Sequence, residues 1–103
     1  MEKWKPKGRE SFDVCLDKDK MYVYGGISNK FLGDLNQLDL QTNLWKKCKL
    51  TGDIPINGRC GHSMNIKNSK IYIFGGSSKK NNNMKERYCL NDVLIIDLNS
   101  YKV

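Results

Sequence analysis

Lys70-Ile71-Tyr72-Ile73-Phe74-Gly75-Gly76 has a counterpart 50 residues earlier, Lys20-Met21-Tyr22-Val23-Tyr24-Gly25-Gly26. Each copy is a run of high β-propensity cut off by two glycines, which predicts a short strand ending in a turn of unusual φ or close backbone approach. Both side-chain parities carry large residues: Tyr22 and Tyr24 against Met21 and Val23, and Tyr72 and Phe74 against Ile71 and Ile73. A half-exposed strand would alternate apolar with polar, so these strands are expected to be covered on both faces. A buried parallel strand of an α/β fold would need a crossover helix next, and the residues after Gly26 and Gly76 are rich in Asn, Asp, Ser and Gly instead.

The repetition continues outward. At the same offset Gly8-Arg9 matches Gly58-Arg59 and Ser28 matches Ser78, whereas Asp34-Leu35-Asn36-Gln37-Leu38-Asp39-Leu40 answers Asp92-Val93-Leu94-Ile95-Ile96-Asp97-Leu98 at an offset of 58. Eight extra residues therefore fall between Gly76 and Asp92, where a surface loop tolerates them. A repeat of this length indicates a solenoid or a propeller.

On these residues the chain resembles two kelch repeats. The second copy shows Arg59-Cys60-Gly61-His62-Ser63, then Gly75-Gly76 and Asn91-Asp92; the first shows Gly25-Gly26, Asp34, Asp39-Leu40 and Trp45. Two departures stand out: Ser11 and Phe12 occupy the places of Gly61 and His62, and Val103 falls where a second Trp is expected. The resemblance implies an all-β fold of two four-stranded antiparallel propeller blades, the second incomplete, within a larger β-propeller. Residues 1–8 would form an N-terminal arm or closing strand, 9–58 the first blade and its linker, and 59–103 the second blade. Propellers close with about four to eight blades, so two leave open faces that need further blades, self-association or a partner. In an up-and-down sheet the 27–33, 51–58 and 77–91 connections share one rim, the expected binding surface.

Structural roles are expected for Arg9 and Arg59 near the blade junction, for the glycine pairs and Gly61, and for Trp45 as a large covered residue of the outer strand. His62, in a predicted inner strand, reads as a packed and hydrogen-bonded residue rather than a base. Asp39 and Asp97 end their strands and read as turn caps rather than a hydrolytic pair. The 77–89 segment carries Lys79, Lys80, Lys85 and Arg87 against Glu86, a local charge of +3, with Tyr88 beside them. Its composition predicts a disordered insert; the functional alternative is a basic contact for an acidic protein surface or a phosphate backbone.

The net charge of +7 rests on 18 basic and 11 acidic residues, and the lysine and asparagine excess is spread along the chain. Cys15, Cys48, Cys60 and Cys89 are spaced by 33, 12 and 29 residues, without the close ligand pairs of a zinc site. No cofactor is implied. No run reaches the about 18 apolar residues of a membrane span and no signal-peptide segment opens the chain. The expected setting is therefore the cytoplasm or nucleus, without membrane contact. Kelch domains accompany serine/threonine phosphatases and some kelch propellers are copper oxidases, but neither apparatus can be laid on these residues. The expected role is a non-enzymatic protein-interaction scaffold, with the non-catalytic part of a larger enzyme and a nucleic-acid-binding rim as alternatives. The absence of a recognised nucleic-acid module disfavours the last.

Overall fold

The computed structural model describes residues 3–80 and 83–103. Among these, the regular elements are strands: β1 (Asp13–Asp17), β2 (Lys20–Ile27), β3 (Phe31–Asp39), β4 (Leu44–Cys48), β5 (Ser63–Lys67), β6 (Lys70–Phe74), β7 (Ser77–Lys80), β8 (Asn83–Cys89) and β9 (Val93–Asp97). They form three antiparallel sheets in the orders β1-β2-β3-β4, β5-β6-β9 and β7-β8. The two larger sheets repeat one register: Val14 pairs with Val23 as Met64 pairs with Ile73, and Lys20 pairs with Asp39 as Lys70 pairs with Asp97.

The second sheet has three strands rather than four. Its fourth is represented by Lys102, which bridges Asp97 as Leu44 pairs with Asp39. Val103 thereby takes the structural place of Trp45.

The inner strands, which the sequence places at about Glu10 to Leu16 and Cys60 to Ile66, are interrupted near their starts. Glu10 bridges Ile27 and Cys60 bridges Ser77, but Ser11 (φ 56°) and Gly61 (φ 70°) then turn left-handed before β1 and β5 begin. Opposite them, both glycines of each pair also have positive φ, from 68° to 102°. Each hairpin thus carries a bulge at one level, and its ladder resumes beyond. In the first copy β2 runs on through the bulge and β3 starts at Phe31, so the connection predicted over 27–33 shrinks to 28–30.

The eight-residue insertion is the larger correction. Over its described residues it is the β7–β8 hairpin rather than a disordered insert, with Ser78 paired to Tyr88 and Lys79 to Arg87. It prolongs the β6–β9 hairpin past Gly75-Gly76, as the ends of β2 and β3 prolong theirs. Its ladder also pairs Ser77 with Cys89 and Lys80 with Asn83, and the buried Ser78 Oγ donates to Gly58 O at 2.6 Å.

One core lies between the two larger sheets. Cys15, Tyr22, Tyr24, Leu35 and Cys48 from the first meet Met64, Ile71, Ile73 and Ile96 from the second. The first sheet thus contributes its Tyr22/Tyr24 face, and the second contributes the opposite parity of the equivalent strand. The two outer faces remain partly open. Trp45 lies on the first of these and is half-buried rather than covered, because only the 5–9 segment and its own sheet surround it.

The linker residue Gly58 packs its backbone directly against Leu32 of the first sheet. A Cβ on Gly58 would lie 2.1 Å from the Leu32 carbonyl carbon, whereas one on Gly61 would meet nothing within 4 Å. Gly61→Ala should therefore cost only the backbone term, about 1–2 kcal/mol, and Gly58→Ala should cost more because backbone must move. Denaturant midpoints of the two variants check this ordering; equal losses would contradict it.

Candidate functional site

Each sheet is pinned at the same end by an arginine preceding its inner strand. Arg59 Nη1 donates to Gly75 O at 3.2 Å and to Asp92 Oδ1 at 2.7 Å, while Nη2 donates to Asp92 Oδ2 at 2.9 Å. Arg9 Nη1 makes the equivalent bonds to Gly25 O (3.2 Å) and Asp34 Oδ1 (2.5 Å). Both guanidinium groups are buried. Burial works against the charge of Arg59, but the Asp92 carboxylate outweighs it and holds the guanidinium pKa above its ordinary value. Hydrogen bonding to Arg59 in turn holds the Asp92 carboxyl below the usual range. Burial would raise Asp34, yet its bonds from Arg9 and Asn36 prevail and lower it.

The second arginine also joins the sheets. Its N–H donates to Leu32 O at 3.0 Å, and its carbonyl accepts from Gly26 N–H at 2.8 Å. Beside it, His62 Nε2 donates to Tyr24 O at 2.8 Å across the junction, and the two rings meet edge to face with centroids 5.5 Å apart. Nδ1 of His62 is buried without a partner among the described residues. Desolvation holds the ring's pKa below its ordinary 6.5, so the neutral form is the one the fold keeps.

Above this junction the three connections meet in a cleft of about 550 Å³, lined by Lys30 to Asp34, Pro55 to Gly58 and Lys79. A smaller recess of about 290 Å³ adjoins it, where Pro55, Ile56 and Asn57 face Ser78, Tyr88 and Leu90. Ile56 is fully exposed and Tyr88 half-exposed. Arg87 lies over the Phe31 ring, 5.3 Å from its centroid, which docks the β7–β8 hairpin against the end of the first sheet. Asp34 and Asp92, the acidic residues lining these recesses, are both engaged by arginines. Lys30 and Lys79 make no ion pair among the described residues, so the net charge the cleft presents is positive.

Of the residues singled out from sequence, Lys79, Arg87 and Tyr88 border this rim, while the side chains of Lys80 and Lys85 lie outside the described residues. Asp39 and Asp97 sit at turns, where Asp39 Oδ1 accepts from Gln41 N–H (2.9 Å) and Asp97 Oδ1 from Asn99 N–H (2.8 Å). Asp39 also holds Lys20 at 2.8 Å. Cys15, Cys48 and Cys60 are buried and Cys89 is exposed, all as thiols. Burial, with Asp13 and Asp17 nearby, pushes the Cys15 thiol up to about 11, so it is protonated and acts as a small apolar group. Sequence reasoning did not single out Lys30, Phe31 and Ile56. An isoleucine between Pro55 and Asn57, in a linker without periodicity, was the available signal.

Two copies of one Arg, Gly-Gly, Asp clamp, each fixing the same three chain segments, define a structural repeat of antiparallel β-sheets. The chain belongs to the kelch-repeat family: the family described as KLHDC2/KLHL20/DRC7 Kelch-repeats domain matches residues 1–103. Host cell factor 2 of Homo sapiens is 46% identical over 77 residues, covering 69% of this chain and 10% of that protein. Host cell factor 1 of Rattus norvegicus is 36% identical over 108 residues, covering 92% of this chain and 5% of that protein. The N-(sulfonatooxy)prop-2-enimidothioate sulfolyase of Thlaspi arvense is 31% identical over 78 residues, 73% of this chain and 22% of that protein. The chain thus spans a tenth or less of the length of these host cell factors.

Two outcomes follow from the pinned junction. Asp92→Ala should destabilise by about 2–4 kcal/mol, since it strands a buried guanidinium while the carboxylate it removes is itself partly solvated; a denaturant midpoint unchanged from wild type would contradict the clamp. For His62 the folded pKa is depressed, so its contribution is complete above 6.5 and is lost as pH falls from there through the folded value. Asp34 and Asp92 lose theirs only below their ordinary 3.8. Thermal midpoints of the wild type should drop between about pH 7 and pH 5, and His62→Gln, which keeps a donor for Tyr24 O, should flatten that slope.

Proposed function

We propose that the two larger sheets are consecutive blades of a kelch-type β-propeller and that the chain is a protein-interaction module whose binding surface is the rim cleft. The blade reading is supported by the repeated register and by the way opposite parities of equivalent strands pack together. The binding reading is carried by one observation: three connections held by the arginine clamps surround a cleft that presents Lys30, Lys79 and a fully exposed Ile56. Rigidly held, mixed basic and apolar surface suits an acidic segment bearing a large apolar side chain. The charge attracts it and the apolar contact retains it.

A second reading, in which the sheets are the non-catalytic part of a larger enzyme, is favoured by the likeness to the Thlaspi arvense sulfolyase, of which this chain covers 22%.

The interaction reading is tested with a labelled peptide of alternating Glu and Leu, followed by fluorescence anisotropy. The double substitution Lys30→Glu, Lys79→Glu should weaken binding about tenfold, equivalent to about 1.4 kcal/mol, and Ile56→Asp should weaken it independently. Unchanged affinity in both variants, or complete displacement by single-stranded nucleic acid, would exclude the acidic-peptide role.

A further inference from the structure

Strand β8 has β7 as its one neighbour, and the direction of its main-chain groups follows from the bonds on the far side of β7. Cys60 N–H donates to Ser77 O at 3.0 Å and Ser77 N–H to Cys60 O at 2.8 Å, so the Ser77 groups point away from β8 and those of Ser78 point toward it. Ser78 is paired with Tyr88. The N–H and C=O of Tyr88 therefore face β7, and those of Arg87 and Cys89 face outward. Among the described residues no protein group bonds them, and residues 86–89 are exposed.

The open edge belongs to the insertion rather than to the repeated scaffold. In the first copy β4 reaches only to Cys48 opposite Leu35, and the linker takes up Leu32 O through Arg59 N–H. Leu32 corresponds to Leu90, and the first copy has already turned over residues 28–30 where the second continues through Arg87.

The two faces of this edge differ in chemistry. Arg87 pairs with Lys79, which puts two cations on one face, while the nearby Asp34 and Asp92 are already engaged by arginines. Tyr88 and Ser78 lie on the other face, where Tyr88 fronts the recess shared with Pro55 and Ile56. Glu86 has the parity of Tyr88, so acidic side chains of a neighbouring strand are favoured on the first face and disfavoured on the second.

We propose that the acidic segment binds as an added β-strand along the 87–89 edge of β8, with acidic residues at alternate positions beside Arg87 and the apolar residues between them directed to the recess. Residues opposite one another across a ladder share a face, so strict alternation in the segment satisfies both faces at once. The outward N–H and C=O groups supply main-chain bonds that do not depend on its sequence. A second copy of this chain is a poor occupant, because pairing two β8 edges brings Arg87 of one to the Arg87 face of the other. This arrangement rests on the acidic-segment reading of the rim and adds the conformation in which the segment is held.

The alternating Glu and Leu peptide is compared with two backbone-modified forms, one N-methylated at every Glu and one at every Leu, by fluorescence anisotropy with the unaltered chain. One form should bind at least about tenfold more weakly than the parent and the other within about twofold of it. Loss in the Glu form denotes an antiparallel strand, and loss in the Leu form a parallel one. A peptide of the same composition with Leu at helical spacing should also bind at least about tenfold more weakly. Amide hydrogen exchange at Arg87 and Cys89 should slow on binding, with Tyr88, whose N–H faces β7, changed less. If the parent peptide binds but the two methylated forms do not differ, the helically spaced peptide binds as well, or the Arg87 and Cys89 amides are not slowed, the added strand is overturned while the acidic-segment reading stands. If the parent peptide does not bind, that reading falls and the added strand with it.

Discussion

A single guanidinium, that of Arg59, determines where three segments of the second copy lie. It is bonded to the carbonyl of Gly75 at the end of β6 and to both oxygens of Asp92 just before β9, while its own backbone is tied to Leu32 and Gly26 of the other sheet. Only a planar fork can meet a carboxylate with two parallel bonds and still reach a carbonyl, which is why lysine, so abundant in this chain, does not stand here. The net stability of such a buried pair is modest, but an unpaired partner is costly. Its effect is to penalise every arrangement in which the linker, the bulge and the third strand do not converge. Arg9 imposes the same condition on the first copy, and the rim cleft exists because both conditions are met on one side.

The junction adds a second constraint, of distance. Gly33 and Gly58 approach so closely that a Cβ on Gly33 would lie 3.3 Å from Gly58 Cα. Such contact between backbones leaves no space for side-chain adjustment, so the relative position of the sheets is fixed by main-chain bonds and the apolar core fills the remaining gap. The core residues are accordingly ordinary in kind. Isoleucine, leucine, tyrosine, methionine and cysteine suffice, because they need only fill a space whose width is already set.

Much of this was legible in the sequence because the same solution is written twice. The two-sided apolarity of β2 and β6, the glycine pairs and the recurrence of arginine and aspartate at constant offsets each survive comparison of the copies. The pairing of Arg9 with Asp34 and of Arg59 with Asp92 could have been read from those offsets. What escaped were features that composition conceals. Ser11 adopts the left-handed conformation that glycine supplies in the other copy, so the break before β1 carries no glycine to announce it. Strand β7 of the β7–β8 hairpin is serine and lysine alone, and its low strand propensity is overridden by continuation of a ladder already pinned at its base. The expected cover over Trp45 depended on a neighbouring sheet that no local pattern could supply.

That hairpin separates length from position. Below Gly76 and Leu90 the two copies superpose in register, and above them the second adds the pairs Ser78 with Tyr88, Lys79 with Arg87 and Lys80 with Asn83, about 10 Å of ladder at 3.3 Å per residue. Because the clamps and the bond from Ser78 to Gly58 lie at the base of this extension, its reach beyond Ser78 can vary without disturbing them. Neighbouring repeats built this way can differ in height while sharing one foundation, so the contour of the rim is adjustable one connection at a time.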